Sequence, residues 1–143
     1  MSSIEGFDLV PHLVALGIAY ALALPIGWNR EKEERSAGLR TFPLVAVATC
    51  GMVQAAEHLA GGSPEALARI IEGLITGMGF IGGGAILRKE NSVQGTATAA
   101  SLWITGAIGI AVGLGNYDVA VIMTVVTAAT FWLLSPLKKL TKD

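Results

Sequence analysis

Five long apolar runs joined by short polar segments restrict what this chain can fold into. A membrane-spanning helix needs about 20 mainly apolar residues, and each run approaches or reaches that length. A soluble helix bundle is the alternative, but its helices would carry polar stripes, and the run at 96–114 holds no charged residue. We therefore predict an all-α, polytopic membrane protein with about five transmembrane helices, at residues 9–28, 41–60, 64–87, 96–114 and 117–134.

The basic residues are sorted to one side of these runs. Of the 10 lysines and arginines, only Arg69 lies outside the segments that follow the first, third and fifth runs. Cytoplasmic loops of membrane proteins collect such cations. This sorting predicts an outside amino terminus and a cytoplasmic carboxyl terminus.

Local signals mark several helix ends. Ser63 can cap the third helix, with Pro64 at its first position. The short Gly115-Asn116 connection predicts an antiparallel hairpin of the last two helices. We expect Pro136 to stop the last helix, and Cys50 to be a buried structural thiol.

Composition excludes several functions. The charged fraction is 15%, against about 25% in soluble domains, and no basic face for nucleic acid is present. One cysteine and two histidines give no zinc spacing. The glycines of the third run lack the lysine of a phosphate-binding loop. We therefore expect no enzymatic activity and no cofactor.

Glycines are concentrated in the third run. Small residues four apart let another helix approach closely, either within the protomer or at a homo-oligomer interface or substrate-lining surface. Three consecutive glycines also weaken a helix, so the end of this run is a candidate hinge or site. The residues concerned are Gly73, Gly77, Gly79, Gly82, Gly83 and Gly84.

Polar residues at the ends of three runs form a candidate ligand or partner site. Ionisable groups at membrane depth tend to face a cavity and pair with one another, although the loop at 29–40 can equally be a solvated hairpin. We expect Arg30, Glu31, Arg40 and Arg88 to form one cluster beneath the glycine-rich helix. Its further candidates are Asn29, Thr41, Thr96 and Thr98.

Two carboxylates are candidates for a metal site. Glu57 lies near the outer end of the second run and Glu72 about two turns into the third. Mg²⁺ keeps several waters and takes one or two carboxylates. Placement among headgroups or water is the favoured alternative for Glu57.

Four segments in series resemble the MgtC/SapB family, and together they cover nearly the whole chain. They are GWNRE at 27–31, SAGLRT at 36–41, GMGFIGGGAI at 77–86 and GTATAASLW at 95–103. The resemblance carries the family's Ala-Gly-Leu-Arg-Thr segment onto Ala37–Thr41 and its glycine-phenylalanine segment onto 79–84. Asn29 departs from the acidic residue of many members.

The resemblance implies a multi-pass protein of the bacterial inner membrane, linked to growth at low magnesium and to virulence. We expect a single transmembrane domain over 1–143, without the soluble carboxyl-terminal domain of the MgtC type. The family's best-studied type is described as restraining the F-type ATP synthase. We therefore expect a non-enzymatic role in magnesium homeostasis or membrane energetics through another membrane protein, in a homo-oligomer. The alternative is a transporter or channel for Mg²⁺ or another small solute.

Overall fold

The structure is a computed structural model that describes residues 8–33 and 37–140. Five helices follow one another, and a short hairpin of two strands separates the third from the fourth. All five are long and apolar enough to cross a membrane, which confirms the predicted class. Ser36 of the SAGLRT segment, and Arg35 and Lys142 among the 10 basic residues, lie outside the described residues. The elements are α1 (Leu9–Lys32), α2 (Thr41–Ala60), α3 (Pro64–Gly84), β1 (Leu87–Lys89), β2 (Ser92–Gln94), α4 (Thr96–Gly113) and α5 (Tyr117–Leu140).

The beginning of α3 matches its predicted signals. The hydroxyl of Ser63 accepts a hydrogen bond from the backbone N–H of Ala66 at 3.3 Å, and Pro64 occupies the first turn. A capping hydroxyl satisfies one of the amide donors that the first turn leaves without a partner. The turn before it is completed by Gly61 at a positive φ of 55°.

The other end of α3 was predicted wrongly, because the helix ends at Gly84 rather than Leu87. The Gly82–Gly84 run is helical, and the chain leaves the helix directly after it. Backbone N–H groups of Ala85 and Ile86 donate to the carbonyls of Gly82 and Gly83. These three-residue bonds tighten the last turn, and the glycines before it contribute little helix propensity.

The hairpin of β1 and β2 was not predicted from the sequence. The strands pair antiparallel, with Leu87 opposite Gln94 and Lys89 opposite Ser92. All six strand residues are exposed, so no alternation of buried and exposed positions reveals them. Gly95 follows at a φ of +87°, where an added Cβ would collide with the Ala85 carbonyl oxygen. Glycine therefore permits the sharp passage into α4.

The prediction that Pro136 stops the last helix is also wrong, because α5 contains this residue and continues to Leu140. Pro25 likewise lies inside α1 without ending it. A proline costs a helix one hydrogen bond, but membrane helices tolerate the loss when neighbouring groups replace it. Both helices therefore run 24 residues, longer than the apolar runs alone indicate.

Helix α4 occupies the centre of the bundle and contacts each of the other four helices. Of its apolar stretch, 61% is buried inside the protein, against 11% for α3. Helix α3 packs against α4 and, less extensively, against α2. One side of α3 therefore remains outside the core.

Close contacts around α4 depend on three of its glycines. An added Cβ at Gly109 would collide with the side-chain oxygen of Thr49 and the carbonyl of Ala46 on α2. At Gly113 it would meet Val53 at 2.8 Å, and at Gly106 it would meet the flexible side chain of Met78 on α3. Because glycine has no side chain, the backbones of neighbouring helices can approach closely here. Close approach increases van der Waals contact, which matters in lipid because the hydrophobic effect does not drive helices together there.

Candidate functional site

Arg30 lies in the last turn of α1 and is only 4% exposed. Its Nε donates to the side-chain oxygen of Asn29 at 3.2 Å, and its Nη2 bonds the same oxygen. The guanidinium lies over the ring of Phe131 on α5, 3.8 Å from the ring centroid. An aromatic face attracts a cation more strongly when water is excluded. This contact therefore ties the first helix to the last at one end of the bundle.

Glu31 organises the connection between α1 and α2. One of its carboxylate oxygens accepts a hydrogen bond from the backbone N–H of Leu39 at 3.1 Å. The same oxygen lies so close to Gly38 that an added Cβ there would collide with it. Across the turn, an added Cβ on Gly27 would lie 3.2 Å from the carbonyl oxygen of Gly38. Glycine at both positions thus lets the loop pack against α1.

Arg40 precedes α2 and reaches a different place, an open groove between α2 and α3. The groove has a volume of about 600 Å³. The Arg40 side chain is exposed, and within the described ranges no hydrogen bond or ion pair of its guanidinium is found. Thr41 lies beside it at the same end of the groove. The other lining residues are Leu44, Val45, Ala48, Thr49, Met52, Gly73, Leu74, Gly77, Met78 and Ile81.

The remaining polar candidates occupy separate surroundings. Arg88 is exposed on β1, opposite Val93, and so does not end α3 as the sequence indicated. Thr96 is exposed at the first position of α4, whereas Thr98 is buried two residues further on. Among the described residues, the structure thus places Arg30 against Phe131, Arg40 at the groove and Arg88 on the hairpin, rather than in a single pocket.

One side of α3 presents backbone to its surroundings. At Gly73, Gly77, Gly79, Gly83 and Gly84, an added Cβ would meet no described atom of another element within 4 Å. We call Gly79 and Gly83, which lie about one turn apart, the open glycine face, because Gly73 and Gly77 line the groove between α2 and α3. Phe80 projects between them and is 87% exposed. Gly82 is different, because it packs 3.3 Å from the carbonyl oxygen of Ala99 on α4.

The acidic candidates are not brought together. Glu57 lines a cavity of about 280 Å³ at the turn between α2 and α3, and Glu72 does not contribute to it. Both side chains are exposed. In the part of the chain that the structure describes, no three His, Cys, Asp or Glu side chains are grouped to hold a metal ion.

Sequence reasoning missed two features of these sites. The first is Phe131, whose ring covers Arg30. Its position near the predicted inner end of the last run was a usable signal, because Arg30 ends the first run on the same side. The second is the apolar wall of the groove, formed by Leu44, Ala48 and Met52 on α2. Their four-residue spacing indicates one helix face, but not that this face borders a groove.

Five apolar helices, a buried arginine at one end and an open glycine face define a multi-pass membrane protein. A family model described as the MgtC family matches residues 16–140. The chain belongs to the MgtC family, as its four sequence segments predicted.

Relatives from several bacteria support this assignment. The chain is 35% identical to Protein MgtC of Salmonella typhimurium strain LT2 over 122 residues, which cover 85% of this chain and 52% of that protein. It is 37% identical to Protein MgtC of Brucella abortus, over 83% of this chain and 49% of the relative. Protein SrpB of Synechococcus elongatus is 35% identical over 133 residues, which cover 80% of this chain and 73% of that protein. The chain thus spans about half the length of the MgtC relatives. No solved structure matches it.

Proposed function

We propose that this protein has a non-enzymatic role in magnesium homeostasis or membrane energetics, and that it acts by binding another membrane protein. Membership in the MgtC family supports the physiological setting, and the open glycine face supports the mode of action. The F-type ATP synthase is the candidate partner that the family resemblance implies. Residence in the bacterial inner membrane belongs to the same proposal.

The open glycine face is the single observation that carries this proposal. Helices in lipid associate through small residues, because close backbone approach increases van der Waals contact. Gly79 and Gly83 are four residues apart on α3, and a Cβ added to either would meet no other described element within 4 Å. A glycine costs a helix about 1 kcal/mol relative to alanine, so glycines without an internal packing role fit a surface that meets a second protein. In the proposed homo-oligomer, the protein that meets this surface is another copy of this chain.

Crosslinking in native membranes tests the proposal. A photoreactive residue in place of Phe80, which is 87% exposed beside these glycines, should capture a membrane protein during growth in low magnesium, and Gly79→Leu should abolish the capture by blocking close approach. A photoreactive residue at Val126, exposed on α5, is the matched control. Capture of nothing at position 80, or equal capture at position 126, would contradict the proposal; capture of this chain alone would restrict it to self-association.

The orientation can be tested separately. We propose an outside amino terminus, which places Glu90 in the cytoplasm and Gly62 outside. In a Cys50→Ala background, a cysteine at Gly62 should react with an impermeant thiol reagent in whole cells, and a cysteine at Glu90 only after the membrane is opened. The reverse pattern would invert the topology.

Transport is the second candidate, and the buried Arg30–Asn29 pair favours it, because ionisable groups at membrane depth often line solute pathways. Purified protein in liposomes should then move Mg²⁺, protons or small anions, and Arg30→Gln should reduce the flux. Absence of flux for all three would eliminate this candidate and leave the binding role.

A further inference from the structure

The groove between α2 and α3 has a polar end and an apolar remainder. Arg40 and Thr41 lie together at the amino-terminal end of α2. Thr49 is the other polar residue in its lining, but its hydroxyl donates to the carbonyls of Val45 and Ala46 at 3.0 and 3.2 Å. The body of the groove therefore offers hydrocarbon surface, and its polar end offers a cation and a hydroxyl.

The length of the groove matches one leaflet of a bilayer. Its lining on α2 extends from Thr41 to Met52, about 16 Å at the helical rise of about 1.5 Å per residue. Half of a hydrocarbon core of about 30 Å is roughly 15 Å. A transmembrane helix of a partner would need twice this length, whereas an acyl chain occupies a single leaflet.

The groove is open towards the surrounding lipid. Leu44, Ala48 and Met52 form the apolar wall of the groove on α2, and all three are exposed. Gly73 and Gly77 form the floor on α3, where no side chain fills the space. The volume of about 600 Å³ lies within the range of small-molecule sites. A lipid can therefore enter sideways without leaving the bilayer.

Charge decides which lipid fits. A guanidinium binds a phosphate by charge-assisted hydrogen bonds, and basic pockets between transmembrane helices bind anionic headgroups. We propose that the groove binds one anionic phospholipid, with its phosphate held by Arg40 and Thr41 and one acyl chain lying over Gly73 and Gly77. This site is separate from the Gly79–Gly83 contact proposed for a protein partner.

Native mass spectrometry of the detergent-purified chain tests this proposal, with phosphatidylglycerol and phosphatidylcholine of identical acyl chains as probes. One phosphatidylglycerol should bind with about fivefold preference, as expected for one cation near an anionic headgroup. Arg40→Gln should remove the preference, whereas Arg69→Gln, which changes an exposed arginine outside the groove, should preserve it.

A second pair of variants tests the acyl-chain position. Ala48→Leu should reduce binding of both lipids by filling the groove, and Ala100→Leu, at an exposed alanine of α4, should leave it unchanged. Met52→Trp is the alternative filling variant if Ala48→Leu fails to fold by circular dichroism.

Equal binding of the two lipids by the wild type, an unchanged preference in Arg40→Gln, or lipid binding that survives both filling variants would overturn the proposal. A dimer that is lost in Ala48→Leu, without any lipid preference, would overturn it in favour of a second copy.

Discussion

Helices α3 and α4 are both apolar and rich in glycine, yet they use glycine in opposite ways. On α4, Gly106, Gly109 and Gly113 are buried against α2 and α3, where an added methyl group would collide with a neighbour. On α3, the open glycine face meets no other described element. One set of glycines assembles the bundle, and the other leaves bare backbone on its outside.

The difference shows that glycine spacing alone does not identify a packing surface. Gly109 and Gly113 on α4 and Gly79 and Gly83 on α3 have the same four-residue separation. What distinguishes them is the helix that lies opposite, which is α2 for the first pair. Glycine-to-alanine substitution should therefore change the stability of the protein in opposite directions on the two helices. It should lower stability on α4, and leave it unchanged or raise it on the open glycine face of α3.

Gly109→Ala should have the largest effect on stability. The new methyl group would collide with the Ala46 carbonyl and the Thr49 side chain, and the carbonyl belongs to the α2 backbone, which cannot rotate away. Overpacking of this kind costs about 2 kcal/mol or more. Thermal unfolding of the purified protein, monitored by size-exclusion chromatography after heating, should show a lower midpoint temperature than that of the wild type. An unchanged midpoint would mean that α2 and α4 are further apart than described.

Gly106→Ala should have a smaller effect of the same sign. The colliding atoms belong to the end of the Met78 side chain, and methionine adapts readily to irregular space. A loss of about 1 kcal/mol is expected in the same unfolding assay. The double variant Gly106→Ala with Met78→Ala should remove the clash, so its failure to show positive coupling relative to the two single variants would contradict the assigned contact.

Gly83→Ala should have no destabilising effect and can raise stability by up to about 1 kcal/mol, because alanine favours a helix and the position is open. The same change should weaken crosslinking to a partner if the open glycine face is an association surface. A loss of stability comparable to that of Gly109→Ala would remove the distinction between the two helices.

Arg40→Ala should change stability least, by less than about 0.5 kcal/mol, since the residue is exposed. Arg40→Ala and Gly83→Leu should nevertheless impair growth in low magnesium more than Lys32→Ala does. Lys32 is exposed at the end of α1, 5.8 Å from the Trp28 ring centroid. If Lys32→Ala has the greatest effect of the three in matched expression strains, the functional surface lies at α1 instead.

Much of the fold was predictable because apolar length is a strong signal in membrane proteins. Helix α2 begins at Thr41 and ends at Ala60 as predicted, since Gly61 and Gly62 both adopt positive φ. The extensions of α1 to Lys32 and α5 to Leu140 were missed because charged residues and proline can remain helical beyond the apolar run. The exposed β-hairpin carries no periodicity that a sequence could show.

The sites were less predictable, because they depend on which helices become neighbours. The sequence singled out Arg30, but not its contact with the ring of Phe131, which is 101 positions later. Similarly, Arg40 was identified, but its groove exists only because Gly73 and Gly77 lie across from α2. A single sequence gives the end of the bundle at which such residues lie, but not their contacts.

The contact between Arg30 and Phe131 also constrains the order of assembly in the membrane. When α1 enters the bilayer, the ring of Phe131 has not yet been synthesised, so this contact cannot form at that stage. It forms only after α5 has been made and lies beside α1. A chain truncated before residue 131 should therefore lack this connection between the first and last helices.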